Sequence, residues 1–242
     1  MTRRATTMPR TAMVLSAGLG LRLRPLTIER PKPLVEVAGR TLIDRVLDRL
    51  AASGIERVVV NLHHLGDMIR RHLADRDRPE IAFSDETDEL LETGGGVARA
   101  LDRLGDGPFF VVNSDTLWFD CGSDSLARLA ERWDPEKMDA LLLLQPTVDA
   151  FGYRGVGDFV MDPAGALMRR PECEVAPFLF TGVQLLGRRL FAGCPDGPFS
   201  LNLLYDKAAG SGRLFGLRHE GEWLHVGSPE GLAEAEKYLR DG

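Results

Sequence analysis

The stretch Leu15-Ser16-Ala17-Gly18-Leu19-Gly20-Leu21-Arg22-Leu23-Arg24-Pro25-Leu26-Thr27, followed by Pro31-Lys32-Pro33-Leu34-Val35, limits this chain more tightly than any other. An apolar strand, Thr11 to Ala17, runs straight into a loop in which Ala17, Gly18 and Gly20 let backbone N–H groups come close to an anion. Arg22 adds a planar fork for phosphate oxygens, and Lys32 a mobile point charge. A triphosphate needs all three. Rival phosphate motifs fit badly. A dinucleotide fingerprint requires a third glycine where Leu23 stands, and a P-loop requires Gly-Lys-Ser/Thr where Gly20 is followed by Leu21 and Arg22. A plain turn with exposed cations would be the better account of a lone Gly-x-Gly, but the length of the pattern weighs against it.

Downstream, strands and helices alternate. Leu42, Ile43, Val46, Leu47 and Leu50 recur at helical spacing and Gly54 ends the run. Arg57–Asn61 reads as a β-branched strand, Leu65–Leu73 as a short helix, Ile81–Ser84 as a strand, Val97–Leu104 as a helix and Phe109–Asn113 as a buried strand. Leu126, Leu129 and Ala130 mark a helix and Ala140–Leu144 a strand. The second half predicts longer strands at Val156–Met161 and Phe178–Leu186, helices at Leu201–Ala209 and Leu232–Leu239, and a strand at Arg213–Leu217. Alternation of this kind implies an α/β fold with a mostly parallel central sheet. No Pro-, Gly- or Ser-rich linker, repeat or low-complexity segment interrupts it. We expect a loose leader over residues 1–10 and one domain over 11–242. Residues 11–120 form its nucleotide-binding half, and 121–242 a sugar-binding half that covers one side of the sheet.

The chain of 242 residues is 44% apolar and 27% charged, with a net charge of −6. An acidic field of that kind does not draw in nucleic acid or an anionic membrane surface. No segment approaches the ~20 apolar residues of a membrane span. Cys121, Cys173 and Cys194 are odd in number and far apart, so neither a disulfide framework nor a zinc site is indicated, and a reducing cytoplasm is expected. His63 and His64 point to opposite sides of an extended chain and make a poor chelate.

Two further segments carry chemistry. Glu92-Thr93-Gly94-Gly95-Gly96 brings backbone close to something flat or bulky, or opens a helix N-terminus to an anion; a flexible turn ahead of a helix is the alternative. Val111-Val112-Asn113-Ser114-Asp115 ends a buried strand, where open α/β sheets place ligands. Asp115 is a hard oxygen ligand suited to Mg²⁺, although an Asx-turn or helix cap would use the same residue.

Gly18, Gly20, Arg22, Pro25, Thr27, Lys32, Pro33 and Leu34 together resemble the opening loop of the sugar-1-phosphate nucleotidyltransferases. Within that family, Leu91-Glu92-Thr93-Gly94-Gly95-Gly96 is most similar to the N-acetylmuramate-1-phosphate uridylyltransferases. The resemblance implies a Rossmann-like nucleotidyltransferase fold with helices on both faces of the sheet. It implies transfer of a nucleotide from UTP to N-acetylmuramate 1-phosphate, and hence a place in cell-wall sugar recycling. A different base or sugar, as in guanylyl- or cytidylyltransferases, or an idle nucleotide-sugar-binding domain, are the alternatives. It also implies catalytic roles for Arg22, Lys32 and Asp115. The nucleotide would be held by Ala17, Gly18, Gly20, Leu21, Arg22, Lys32, Thr93, Gly94, Gly95 and Asn113. The expected partners are small molecules only, with Mg²⁺ as cofactor or Mn²⁺ in its place.

The sequence departs from the family pattern in two places. Most relatives carry a second metal carboxylate in a Trp-x-Asp-x-Gly-Thr segment, whereas this chain has Trp223-Leu224-His225-Val226-Gly227-Ser228. Imidazole suits softer divalent metals than Mg²⁺. His225 is then open to four roles: a phosphate contact, a ligand to Mn²⁺ or another metal, a residue orienting a water, or a structural imidazole. On the acceptor side the resemblance implies Gly157, Thr181 and Gly182 at the sugar, with Thr181 offering its hydroxyl. Asn202 and Asp206, one helical turn apart, are placed to line the same cleft. Arg169-Arg170 replaces the Glu-Lys of a Glu-Lys-Pro found in many relatives; an exposed basic pair is the plain reading.

Overall fold

The computed structural model describes residues 7–241, apart from the side chain of Asp241, so positions 1–6 of the expected leader lie outside the described residues. Arg10, at the leader's end, pairs with Glu56. The first half contains β1 (Thr11–Leu15), the short β2 (Glu36–Val37) and β3 (Arg40–Thr41), α1 (Leu42–Ala52), β4 (Arg57–Leu62), α2 (Gly66–His72), β5 (Glu80–Asp85), α3 (Glu92–Leu104), β6 (Phe109–Asn113) and β7 (Thr116–Phe119). The second half contains α4 (Ser125–Arg132), β8 (Ala140–Pro146), β9 (Phe159–Met161), β10 (Leu167–Arg169), β11 (Phe178–Leu186), α5 (Leu201–Gly210), β12 (Leu214–Arg218), β13 (Glu222–His225) and α6 (Pro229–Asp241).

Strands β6, β1, β4 and β5 lie side by side and parallel. Alternation along them separates two apolar layers. Ala12, Val14, Phe110 and Val112 face a core shared with Ile43, Val46, Leu47 and Leu50 of α1 and Leu126 and Leu129 of α4. Met13, Phe109 and Val111 face the opposite core, with Val97, Ala100 and Leu104 of α3 and Leu204 and Ala208 of α5. Burying each such Leu or Val contributes about 1.5–3 kcal/mol, so helices on both faces follow directly from the period-2 pattern. α1 forms where its apolar stripe begins: the Thr41 side chain caps it by accepting from Asp44 N–H, and Gly54, at φ 86°, turns the chain out afterwards.

The strands of the second half extend the sheet from its β6 edge, while its helices α4 and α5 pack on opposite faces, so this half is not confined to one side as expected. β11 pairs antiparallel with β6 and with β8, and β12 runs parallel to β8. β9 and β10 follow as a short antiparallel pair. The strand expected from Val156 starts only at Phe159, because Gly157 sits at φ 75° and its Cβ position would lie 2.2 Å from the Ala176 carbonyl oxygen. α3 begins at Glu92, five residues before its apolar repeat, so the three glycines lie inside the first turns of the helix rather than ahead of it.

Five short strands, β2, β3, β7, β10 and β13, are not legible in the sequence. β13 pairs antiparallel with β7, setting His225 opposite Thr116 and Trp223 opposite Trp118. A small apolar cluster of Val35, Val37, Leu42, Leu117, Leu224, Val226 and Ala235 clamps this ribbon to the segment after Lys32. Lys32 and His225, far apart in sequence, are therefore held by one patch of core.

Candidate active site

β1 and β6 are parallel neighbours with Leu15 opposite Asn113. The loops that leave them, Ser16–Gly20 and Ser114–Asp115, are thus side by side at the C-terminal edge of the sheet, where open α/β folds bind ligands. They form one wall of a cleft of about 580 Å³, which Arg22, Lys32, Asn61, Leu90, Glu92, Thr93, Ser200 and Gly227 also line.

The phosphate loop has a distinct internal logic. Gly20 lies at φ 63°, and a Cβ there would come within 3.0 Å of Thr27 Cγ2 and 3.2 Å of Lys32 Cβ. Thr27, almost fully buried, donates its hydroxyl to the Gly20 carbonyl at 2.8 Å. The spacing from Gly20 to Thr27 is therefore a closure: the threonine fastens the loop, and the glycine leaves room for the lysine stem. Gly18 is different. It is exposed, and a Cβ added to it meets nothing within 4 Å. Leu21 is 55% exposed and turned to the cleft.

A buried polar chain joins the phosphate loop to the start of α3. Ser16 N–H donates to Asn61 Oδ1 at 2.6 Å, Asn61 Nδ2 donates to Glu86 Oε1 at 2.8 Å, and Leu91 N–H donates to Glu86 Oε2 at 3.3 Å. Glu86 has no exposed surface. Burial pushes its carboxyl above the usual range, opposed by the Asn61 and Leu91 donors. Sequence reasoning missed this chain. Its one local signal is that Asn61 is a polar residue near the end of an otherwise apolar strand.

The glycines of α3 serve packing. Gly94 and Gly95 N–H both donate to the Phe199 carbonyl, at 2.8 and 3.1 Å. Cβ atoms at those positions would lie 2.3 Å from Phe199 Cε2 and from the Gly197 carbonyl oxygen respectively, and one on Gly96 would lie 2.8 Å from Glu86 Oε1. The resemblance implies that the backbone of Gly94 and Gly95 meets the nucleotide, but their N–H groups are spent on the Phe199 carbonyl and neither residue lines the cleft. Thr93 does line the cleft, and its hydroxyl accepts from Leu201 N–H at 2.9 Å. Glu92, also on the cleft, has φ 58°, an uncommon conformation for a residue with a side chain.

At the other end of the cleft, Lys32 Nζ donates to the Asp115 carboxylate. The two side chains are 14% and 27% exposed, so both can reach a ligand. His225 lies in this group. Burial depresses its imidazole below the ordinary histidine range, Arg22 and Lys32 add to that, and Asp115 opposes it. Gly227 gives room for the arrangement: a Cβ there would sit 2.7 Å from His225 Cε1 and 3.4 Å from Arg22 Nη2. Among the described residues no group of three or more His, Cys, Asp or Glu side chains gathers to hold a metal. Asp115 with His225 is a partial donor set, one that suits an ion sharing its shell with water and substrate phosphates.

The expected sugar residues separate. Gly182, at φ 88° in the irregular stretch of β11, would place a Cβ 2.3 Å from Thr116 Oγ1 and 3.0 Å from Asn113 Nδ2, so it backs onto the residues flanking Asp115. Thr181 differs from expectation. Its hydroxyl donates to the Leu143 carbonyl at 2.8 Å and is buried, while its own carbonyl accepts from Thr116 Oγ1 and Trp223 Nε1, both at 3.0 Å. Thr181 therefore fastens β11 to the β7–β13 ribbon and offers no hydroxyl to the cleft. Gly157 lines a second, smaller pocket with Arg169, Arg170 and Asn202. Asp206 pairs with Arg169 outside that pocket's lining. His63 Nδ1 meets the Glu86 carbonyl oxygen at 2.7 Å, which bears out its reading as a loop histidine. The three cysteines are free.

A mostly parallel sheet with a cleft at its C-terminal edge, a closed glycine loop and an apposed lysine and aspartate fits a nucleotide-handling enzyme, and the chain belongs to the nucleotidyl transferase family, whose pattern matches residues 11–158. Its relatives are sugar-1-phosphate nucleotidyltransferases. It is 44% identical over 96% of its length to the N-acetylmuramate alpha-1-phosphate uridylyltransferase of Caulobacter vibrioides, covering 98% of that protein. It is 37% identical to the enzyme of the same name from Neisseria meningitidis serogroup B, over 93% of this chain and 96% of that one. Among solved structures, the inositol-1-phosphate CTP transferase from T. maritima shares the fold with a TM-score of 0.78 at 19% identity, each chain covered to 98%. No helix among the described residues is long and apolar enough to cross a membrane.

Proposed function

We propose that the chain joins the uridylyl group of UTP to N-acetylmuramate 1-phosphate, releasing pyrophosphate, with Mg²⁺ held at Asp115. The observation that carries the chemistry is the meeting of the Gly18–Gly20 loop, Arg22, Lys32 and Asp115 in one cleft. The likeness over nearly the whole chain to the two uridylyltransferases supports the choice of substrates. A cytoplasmic location, where UTP is at hand, belongs to the same proposal.

An acceptor phosphomonoester, with a second pKa of ~6, is largely dianionic at neutral pH and needs no general base. One of its oxygens attacks the α-phosphorus of UTP. The bond from that phosphorus to the β-phosphate bridge breaks, and pyrophosphate leaves with its electron pair. The barrier is charge repulsion, so the protein's part is positioning and electrostatics. The loop N–H groups and Arg22 hold the departing pyrophosphate. Lys32 exchanges its Asp115 partner for a phosphate oxygen and offsets charge during the in-line attack. Asp115 would hold Mg²⁺, which would supply further charge neutralisation to the triphosphate. Burial, with Arg22 and Lys32 nearby, lowers the His225 pKa and so favours the neutral imidazole, which offers a lone pair rather than a third positive charge there. Thr93 and the segment around Glu92 border the base.

Pyrophosphate release measured with Mg²⁺, each nucleoside triphosphate and a panel of sugar 1-phosphates tests the proposal. Release that requires UTP and N-acetylmuramate 1-phosphate together is the expected result. Release with another pair would keep the chemistry and reject the substrates. No release with any pair would reject the chemistry.

A further inference from the structure

We propose that Arg169 recognises the carboxylate of the acceptor sugar, and thereby selects an acidic amino-sugar 1-phosphate over its neutral counterpart. The inference rests on the acceptor named above. N-acetylmuramate differs from N-acetylglucosamine by a lactyl ether ending in a carboxylate. A second anionic group entering a site already crowded with phosphate needs its own cation. Arg22 and Lys32 stand at the phosphate end and are not available to it.

The small pocket supplies one. It encloses about 190 Å³ between Gly157, Phe180, Asn202 and the pair Arg169–Arg170. Two elements lead to it from the reaction centre. On β11, Phe180 in the pocket wall is two residues from Gly182, which backs onto Asn113 and Thr116 beside Asp115. Two residues of chain span at most ~7 Å, within the reach of a pyranose ring and its substituent. On α5, Asn202 in the pocket follows Ser200, which lines the main cleft.

The two arginines are not equivalent. Arg170 is committed to the backbone: Nε donates to the Gly157 carbonyl at 3.2 Å, and Nη1 to those of Pro171 and Glu174 at 3.1 and 2.9 Å. Arg169 has a single ion pair, Nε to Asp206 Oδ1 at 3.5 Å, with the two side chains 39% and 60% exposed. A long, exposed pair of that kind is weak and easily exchanged. The Nη nitrogens of Arg169 have no hydrogen-bond partner among the described residues, so its planar fork is open to a carboxylate. The acidic group lining the pocket, Asp158, is turned to the Phe180 N–H at 2.8 Å.

The test is steady-state kinetics of Arg169→Ala and Arg169→Lys with UTP and either N-acetylmuramate 1-phosphate or N-acetylglucosamine 1-phosphate. Arg169→Ala is expected to raise KM for the acidic acceptor by about 10- to 100-fold. KM for UTP and for the neutral acceptor should stay within about twofold, so the preference between the two sugars collapses. Arg169→Lys, which keeps the charge but loses the fork, should fall between. The side chain is partly exposed, so the fold is not at stake, and an unchanged melting temperature would accompany the effect. Equal KM for the acidic sugar in wild type and Arg169→Ala, or equal losses with both sugars, would overturn the assignment alone. A wild-type enzyme that ignores N-acetylmuramate 1-phosphate would overturn the acceptor reading and this inference together.

Discussion

Alanine at Gly18 and alanine at Gly20 should have opposite signatures, although the two positions are separated by one residue. At Gly20 the penalty lies within the protein. An L-residue in the left-handed region costs about 1–2 kcal/mol, and the new Cβ would press on Thr27 and Lys32 at 3.0–3.2 Å. The variant should melt about 3–8 °C lower, and its displaced Lys32 should lower kcat as well. At Gly18 nothing in the protein lies within 4 Å of the new Cβ, and φ is not positive. Stability should hold or rise by about 0.4–1 kcal/mol through the unfolded chain. Any kinetic loss at Gly18 then reports the ligand. If a triphosphate closes against this backbone, one charge-assisted hydrogen bond of about 1.5–3 kcal/mol is lost, or about 10- to 150-fold in kcat/KM for UTP. Thermal melting and UTP kinetics on the two variants decide it. A stable Gly18→Ala with wild-type UTP kinetics would refute close approach of the triphosphate to this loop.

The remaining predictions concern the metal, the histidine and the buried acid. Asp115→Asn should lower kcat by at least about 10²-fold in Mg²⁺ with little change in melting, by analogy with loss of a single transition-state donor; near-normal turnover would reject Asp115 as the metal anchor. His225→Asp should raise the ratio of Mg²⁺- to Mn²⁺-supported activity; an unchanged ratio would reduce His225 to a structural part. Glu86 carries a proton more readily folded than unfolded, so the folded state binds more protons above the unfolded value of ~4.3, and stability falls as pH rises through that window towards the raised folded pKa. Glu86→Gln lacks this term. The melting temperature of Glu86→Gln relative to wild type should therefore improve from about pH 4 to pH 8, and a constant or opposite difference would contradict the assignment.

The local parts of the site are readable from the chain because their chemistry is local. A strand, two glycines, an arginine and a lysine within some twenty residues can meet only one way, and Gly18, Gly20, Arg22, Lys32 and Asp115 do converge. Phe109–Asn113 and Phe178–Leu186 were bounded correctly because buried strands declare themselves by continuous apolar runs. What escaped depends on distant partners. Three successive glycines look like a break in a helix, and only the Phe199 carbonyl and the Glu86 carboxylate show why α3 needs them. Thr181 has the composition of a site residue, but the Leu143 carbonyl, 38 positions away, takes its hydroxyl. The antiparallel insertion of β11 at the β6 edge leaves no mark on periodicity, and β13 is too short to show a pattern of its own.

Phosphorus NMR of a mixture of enzyme, Mg²⁺, UTP and N-acetylmuramate 1-phosphate, with mass analysis of the product, tests the central claim most directly. The account predicts loss of the triphosphate and sugar-monophosphate signals in step, matched by equal amounts of pyrophosphate and a UDP-linked sugar bearing the lactyl group. Inert substrates, or UMP or UDP appearing without a sugar diphosphate, would contradict it.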